Sequence, residues 1–282
     1  MIDVRERQWI LDRATVPEHG LSLMTSVSGG EPFLVKDILC FARSNWLVVV
    51  GYPLAGAGRE GGADLEASLE SILDRFKPRF ASIIAPEIPM SVAGFCREKQ
   101  RDVYYTVPLE GFQPGGTARR AVRRASKEVH VEWAGAMDEA HRRLTLEFLG
   151  RARLSHRVQD LFFKMPRFVS DSSNAFVLNA RDARGELVAF YVVDLEPVAF
   201  STYVIGCRSG KRHVPGASDL LCNELIRVSA ERGKRFVHLG LGLTPGIRRF
   251  KRKWGGVPGP DYESADLVLR RPSLLDALRG LR

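Results

Sequence analysis

The stretch from Val214 to Trp254 constrains this chain more than any other. Pro215-Gly216-Ala217-Ser218 reads as a turn. Beyond it, Leu221, Leu225 and Val228 recur at helical spacing and make one buried stripe. Ser218 is the expected N-cap, Asp219 suits the positive end of the helix dipole, and Gly233 suits the position just past the helix end. A short strand, Phe236–Leu239, comes next and leaves through a glycine-rich segment, Gly240–Gly246. A basic loop closes the stretch, with Arg248, Arg249, Lys251, Arg252 and Lys253 interleaved with Phe250 and followed by Trp254. Bare amides at a helix start, a flexible strand exit and concentrated positive charge suit a phosphorylated ligand. The competing reading is a helix, a strand and a solvated basic loop.

The same order of strand, glycine-bearing loop, capped helix and strand occurs earlier in the chain. Adding 155 to the residue number carries Val50-Gly51 onto Ile205-Gly206, Gly61 onto Gly216 and Asp64 onto Asp219. In the first copy Trp46–Val50 is the strand. The helix after Asp64 carries Leu65, Leu69, Ile72 and Phe76 on one face, and Lys77-Pro78 ends it because a residue before proline avoids the helical basin. Phe80–Ala85 is the second strand. Matched punctuation around matched elements predicts two copies of one α/β unit. Ahead of the first copy, residues 1–20 show only a short helical pattern, Leu21–Ser28 reads as a strand and Gly29–Pro32 as a turn.

Between the copies, Ala118, Val122, Ala125 and Val129 fall at helical spacing, which leaves Arg119, Arg120, Arg123, Arg124 and Lys127 on the other faces. Such a helix is either a solvated face or a cationic rail for a polyphosphate. Asp138–Leu149 reads as a helix stopped by Gly150, and residues 151–173 carry mixed signals. The second half then gives an antiparallel meander over Ala175–Ala180, Leu187–Leu195 and Val198–Gly206. The crossing from meander to helix is expected to splay the sheet where a donor and an acceptor meet.

A net charge of +9 over 282 residues favours polyanionic partners: nucleic acid, an anionic membrane surface or a phosphorylated cofactor. The cysteines at 40, 96, 207 and 222 lack metal-ligand spacing, so no metal is expected. The charged start lacks the apolar core of a secretory signal, and apolar runs such as Trp46–Val50 are far shorter than the ~18 residues that span a bilayer. The expectation is a cytoplasmic protein whose membrane contact, if any, is peripheral to the inner face.

The run Pro215–Lys251, the Val237-His-Leu-Gly240 strand and the segment Gly246–Gly255 resemble the C-terminal part of the FemABX-like aminoacyltransferases and of the catalytic domain of phosphatidylglycerol lysyltransferases. The segment Thr117–Lys127 resembles the arginine-rich helix between their domains, and Val50–Pro53 and Ala85–Glu87 fit the lysyltransferase-like first domain. The resemblance implies an α+β (α/β) chain of two tandem GNAT-like acyl-CoA N-acyltransferase domains, with mostly antiparallel mixed sheets flanked by helices. On this sequence it implies a first domain over 1–114, a basic helical linker over 115–130 and a second domain over 131–282 that carries the donor site.

The implied reaction is transfer of an acyl or aminoacyl group to an amine or hydroxyl. The donor is aminoacyl-tRNA in the FemABX-like branch, with cell-wall precursors or lipids as acceptors, and acyl-CoA in the wider fold. Either is a co-substrate, and no tightly bound cofactor is expected. Gly216, Ala217 and Ser218 correspond to the pyrophosphate-binding helix start. The wider fold's loop reads Gln or Arg, two residues, Gly, one residue, then Gly or Ala. Arg212-His-Val-Pro215-Gly216-Ala217 departs from it, with proline where the first glycine is expected, and fits the aminoacyl branch better.

Attack on an ester or thioester carbonyl needs charge or amide donors at the developing oxyanion, and a base serves the nucleophile. Lys251 is the leading candidate for electrostatic stabilisation. Arg248, Arg249 and Lys253 are candidates for holding phosphates. Tyr203 is either an acid or a core tyrosine, and Asp194 either a base or a strand-end residue that turns the chain. Phe250 and Trp254 either stack on a base or acceptor or pack the loop down, and Arg119, Arg120, Arg123 and Arg124 are the candidate tRNA contacts. His238, mid-strand, reads as a core histidine. Two other classes stay open: an acyl-CoA-dependent N-acyltransferase, and a non-catalytic module that binds tRNA or anionic lipid.

Overall fold

The computed structural model describes residues 2–55, 64–152 and 154–269. The chain packs as two units, neither continuous in sequence. Ser28–Asp102 joins the stretch from Pro260 onward and the first residues through Arg7, while Gln8–Val27 joins Val103–Gly259. Both units are mixed α/β, with β-strands flanked by helices.

The chain begins with α1 (Val4–Arg13), a 3-10 turn at Pro17–His19 and α2 (Leu21–Ser28). The strand expected over Leu21–Ser28 is therefore a helix. Leu21, Leu23 and Val27 satisfy an alternating pattern, but Leu21 and Met24 also lie one helical turn apart and are buried with Leu23. Packing of Leu23 and Val27 against Leu144 and Phe162 settles what periodicity leaves open.

The expected turn at Gly29–Pro32 is shorter than that. Gly29 takes the left-handed conformation at φ 67°, and Glu31 already starts β1 (Glu31–Val35). Pro32 is accommodated there because β1 is an edge strand. β1 pairs antiparallel with β2 (Ile38–Arg43), and β2 with β3 (Trp46–Val50). Next comes α3 (Leu65–Phe76), with the Asp64 carboxylate accepting from the Glu66 amide at 3.1 Å and Lys77 closing it at φ 44° ahead of Pro78. β4 (Phe80–Ala85) then returns parallel to β3, in register from Trp46↔Phe80 to Val50↔Ile84. Gly61, which the 155-residue offset aligns with Gly216, lies outside the described residues.

β5 (Cys96–Pro108) leads into the second unit, where α4 (Gly116–Ala125), β6 (Val129–Ala134), α5 (Glu139–Arg151) and α6 (His156–Asp171) follow. Val129 thus belongs to a strand, and α5 runs past Gly150. Asp138 caps α5 by accepting from the Ala140 and His141 amides. The meander β7 (Ala175–Asp182), β8 (Leu187–Asp194) and β9 (Phe200–Arg208) extends antiparallel from β6. α7 (Ala217–Glu231) crosses over to β10 (Phe236–Leu241), parallel to β9, and β10 pairs antiparallel with β5. α8 (Pro245–Lys253) comes last in this unit.

The cationic burst is therefore a helix and not a loop. The Thr244 hydroxyl accepts from the Ile247 amide at 3.2 Å, and Pro245 occupies the first turn, where its missing N–H costs nothing. Two apolar clusters cover the two faces of the second unit's strands. Leu221 and Leu225 of α7, with Ala118 and Ala125 of α4, pack on one side; Phe162 and Phe168 of α6 pack on the other.

The chain returns to the first unit as β11 (Val257–Val268), antiparallel to β4 from Glu263↔Ala85 to Val268↔Phe80. The Glu263 carboxylate, 1% exposed, accepts from the Ile88 amide at 2.9 Å, from Lys99 at 2.8 Å and from Arg101. Burial alone would raise its pKa, but Lys99, the Ile88 amide and Arg101 together hold it down at about 2.

Candidate active site

In the second unit the sheet opens between β9 and β10. These strands pair only at Phe236↔Phe200, Val237↔Ser201 and His238↔Thr202, although β9 runs on to Arg208 and β10 to Leu241. Register also shifts between Val192 and Val193 where β8 meets β9, and between His238 and Leu241 where β10 meets β5. Gly240, at φ 72°, supplies a conformation that L side chains rarely adopt. Beyond Thr202, the edge of β9 that faces β10 has no ladder partner on β10.

Lys251 reaches this opening from α8. Its side chain is 3% exposed, Nζ donates to the Leu241 carbonyl at 2.5 Å and lies 5.6 Å from the centre of the Tyr105 ring. A Cβ on Gly240 would lie 3.9 Å from both Lys251 Nζ and the Tyr203 carbonyl, so the missing side chain leaves space beside the cation. A buried ammonium near a gap in the ladder is suited to stabilising a developing oxyanion, because low local dielectric strengthens its field.

Tyr203 lies on β9 beside Tyr191, their ring centres 4.6 Å apart. Burial, then the neighbouring Cys207 and Cys222, raise its pKa above the ordinary phenol value. It stays protonated at neutral pH and is suited to donating a hydrogen bond, not to removing a proton. Gly206 makes this possible: a Cβ there would come within 2.6 Å of the Tyr203 hydroxyl and 2.7 Å of the Tyr191 ring. The Tyr191 hydroxyl donates to the Ser218 carbonyl at 2.8 Å and so ties β8 to the first turn of α7.

That first turn differs from the sequence expectation. Gly216, at φ 89°, is the N-cap, and Ser218 is already helical. A Cβ at Gly216 would lie 2.6 Å from the Ala121 carbonyl and 3.3 Å from Ala125 Cβ. The basic helix α4 is thus seated on the start of α7, its alanine face inward, and Arg119, Arg120, Arg123 and Arg124 are exposed. Ala217 is buried and Ser218 half-buried. Opposite them, Asp219 holds the end of α8. Its carboxylate accepts from Lys253 Nζ at 2.5 Å and from the Trp254 indole N–H at 2.9 Å.

The candidate residues therefore separate. Lys251 Nζ and the Tyr203 carbonyl both lie near Gly240, while the Tyr203 hydroxyl is turned toward Gly206 and its ring toward Tyr191. Arg248 and Arg249 are exposed on α8, and Lys253 lies 5.0 Å over the Phe250 ring while paired with Asp219. Trp254 is fully buried in the α7 core and presents no face to a ligand; Phe250, half-buried, packs against the same cluster. Asp194 is fully buried at the end of β8, away from α7, and its Oδ1 accepts from the Glu196 amide at 3.0 Å. Burial, then the nearby Glu196, push its pKa up to about 7.

His238 is fully buried in β10. Burial, then the Lys251 charge, push its pKa down to about 3, and Nδ1 accepts from the Gly240 amide at 3.1 Å. Sequence reasoning missed the role of Asp219 as the clasp between α7 and α8. It also missed α8 itself, although Thr244-Pro245 carries a helix-start signal.

No protein-family model matches the chain, and no curated protein matches it in sequence. Its fold, however, matches solved structures. The C-terminal domain of a putative lysylphosphatidylglycerol synthetase from Agrobacterium fabrum superposes with a TM-score of 0.59 at 15% identity, over 98% of this chain and 93% of that one. The structure of FemX gives 0.57 at 9% identity, over 93% and 96%. A tandem GNAT protein from the clavulanic acid biosynthesis pathway gives 0.50 at 11% identity, over 84% and 79%. The chain has a GNAT-like, acyltransferase-type fold resembling these proteins. Among the described residues, no helix is long and apolar enough to cross a membrane.

Proposed function

We propose that this protein transfers an aminoacyl group from aminoacyl-tRNA to a lipid, cell-wall or amine acceptor, at the opening between β9 and β10. The observation that carries the reading is the buried Lys251 ammonium beside ladder-free peptide groups of β9. The ester carbonyl lies at the opening, Lys251 and backbone amides receive the charge that develops on its oxygen, and the Tyr203 hydroxyl orients the reacting groups. Arg119, Arg120, Arg123 and Arg124 on α4, with Arg248 and Arg249 on α8, meet the phosphates of the nucleic acid. The two units are tandem copies of one fold, and only the second keeps a donor site. The protein works in the cytoplasm, and its basic surface draws it to the anionic inner leaflet when the acceptor is a lipid.

Charged tRNA should bind with an affinity that falls steeply with salt. Lys251→Ala should lower the transfer rate by about 10²-fold while leaving tRNA affinity close to wild type. No binding of charged tRNA at low salt would sink this reading.

An acyl-CoA donor is the second reading, favoured by the α7 start at Gly216. Acetyl-CoA at 100 times its dissociation constant should then stabilise the protein by about 2.7 kcal/mol, read as a thermal shift. Binding of tRNA or anionic vesicles with no turnover from any donor would leave a non-catalytic module.

A further inference from the structure

The first unit carries a row of side chains that the transfer reading does not use. Arg43 on β2 is paired in register with Trp46 on β3, and Trp46 with Phe80 on β4. Residues in register share a face, with neighbouring Cβ atoms roughly 5 Å apart. On the same strands, Cys40, Leu47 and Ala81 pack with Leu69 of α3. Strand alternation therefore turns Arg43, Trp46 and Phe80 to the face away from that helix. The Trp46 and Phe80 rings stack, with centres 5.5 Å apart and planes 28° from parallel. Even so, Trp46 stays 43% exposed.

The row borders a cavity of about 310 Å³, whose remaining walls are Ser28, Ser44 and Asn45. All of these residues belong to the first unit. The volume falls at the lower end of small-molecule sites, which span roughly 300–1,000 Å³. Backbone frames it. Ser44, left-handed at φ 48°, lies in the turn from β2 to β3, and the Asn45 carbonyl accepts from the Arg79 amide at 2.9 Å and the Phe80 amide at 3.0 Å. Those two bonds seat the start of β4 on the turn. Gly29 leaves room for the guanidinium, since a Cβ there would come within 2.6 Å of Arg43 Nη1.

Charge and shape narrow the occupant. A second guanidinium, that of Arg79, lies 5.0 Å over the Phe80 ring. Among the described residues, no carboxylate forms an ion pair with Arg43 or Arg79. An aromatic that anchors a protein in a bilayer projects from the surface. Trp46 instead lies against Phe80 and borders a concavity walled by a carboxamide, hydroxyls and a guanidinium. A flat indole takes a flat π-system, and a guanidinium takes an anion. The Asn45 side chain offers both a donor and an acceptor to a planar edge that has both. A nucleobase joined to a phosphate supplies all three.

We infer that this cavity is a nucleotide site: a base stacks on Trp46, Asn45 meets its edge and Arg43 holds the phosphate. The site goes beyond the transfer reading and does not depend on it. Its ligand is a nucleotide, either free or unpaired in a single strand, because both present the same chemistry.

Titrations of the full-length protein test this, read on the indole N–H signals of its four tryptophans. Trp46→Phe identifies the Trp46 signal by its loss, and the other signals, if unmoved, report that the fold is kept. The probes are adenosine 5′-monophosphate, a short single-stranded oligoadenylate, inorganic phosphate and phosphatidylglycerol vesicles. The Trp46 signal should move saturably with the nucleotide and stay in place with inorganic phosphate at the same concentration. Equal affinity for nucleotide and oligoadenylate marks a free nucleotide as the ligand. Oligoadenylate affinity about 10-fold tighter, and falling with salt, marks a single strand.

By calorimetry, Trp46→Ala and Arg43→Gln should each weaken nucleotide binding about 10-fold, and Trp46→Phe less, because phenylalanine keeps a stacking face. A Trp46 signal that neither nucleotide moves, that phosphate moves as far, or that only the vesicles move overturns the proposal. Unchanged affinity in Trp46→Ala overturns it as well. None of these measurements uses a donor or turnover, so failure of the transfer reading and failure of this site are read separately.

Discussion

The two units contain the same crossover and use it differently. β3–α3–β4 and β9–α7–β10 each join parallel strands through one helix after an antiparallel meander. In the first unit the parallel pair is zipped in register from Trp46↔Phe80 to Val50↔Ile84, the full length of β3. In the second, pairing stops at Thr202↔His238 and Lys251 sits in the opening. The helices also start differently. Asp64 caps α3 with its side chain, whereas α7 starts from a left-handed glycine pressed under α4. The first ladder runs unbroken along β3; the second breaks off beside a buried cation, the Lys251 ammonium, which donates to the Leu241 carbonyl.

The contrast between the helix starts gives the largest effect. Gly216→Val combines an unfavourable backbone conformation with a side chain driven into the Ala121 carbonyl, and should cost about 4 kcal/mol. Chemical denaturation would show it; a loss under 1 kcal/mol would mean that α4 is not seated on α7.

Acidity separates the units next. Glu263 has its pKa lowered in the folded state, so its contribution to the first unit is present above the unfolded carboxylate pKa. It is lost as pH falls toward about 2. Glu263→Gln should remove roughly 3 kcal/mol at pH 7, and the deficit should shrink in acid.

Asp194 runs the other way. Its pKa is raised to about 7, so the folded state binds its proton more tightly, and its contribution to stability declines as pH climbs from the unfolded value toward 7. His238, lowered to about 3, opposes this between pH 3 and 6.5, which flattens the wild-type profile. Asp194→Asn should therefore be more stable than wild type at pH 8, by about 2 kcal/mol, with the difference vanishing near pH 4. Equal stabilities at pH 8 would mean that the carboxylate is solvated.

The smallest effect belongs to the closed crossover. Asp64→Ala should cost about 1 kcal/mol, the ordinary value of one cap, without changing tRNA or acyl-CoA binding.

The local signals that survived into the structure are those with few physical alternatives. Phe80–Ala85 and Trp46–Val50 are strands at the expected bounds, and Asp64 and Lys77-Pro78 bracket α3 as read. Leu21–Ser28 failed because a short apolar run fits both periods, and its burial against Phe162 decides the matter from far along the chain. The loop expected at Arg248–Lys253 failed because glycine and charge outweighed the Thr244-Pro245 helix start. For Trp254 the sequence left stacking on a ligand and packing both open, and its burial, with the indole N–H bonded to the Asp219 carboxylate one helix away, decides for packing.

By itself the sequence determined part of the punctuation: where Lys77-Pro78 ends one helix, that Gly233 follows the end of another, and that matched signals recur 155 residues apart. Those are short-range consequences of sterics and periodicity. Only the tertiary structure decided that β9 and β10 part after three rungs, that α4 is seated on α7, and that Arg43, Trp46 and Phe80 share one row. Each depends on register between segments distant in sequence, and a shift of one residue would turn every side chain of the row to the other face.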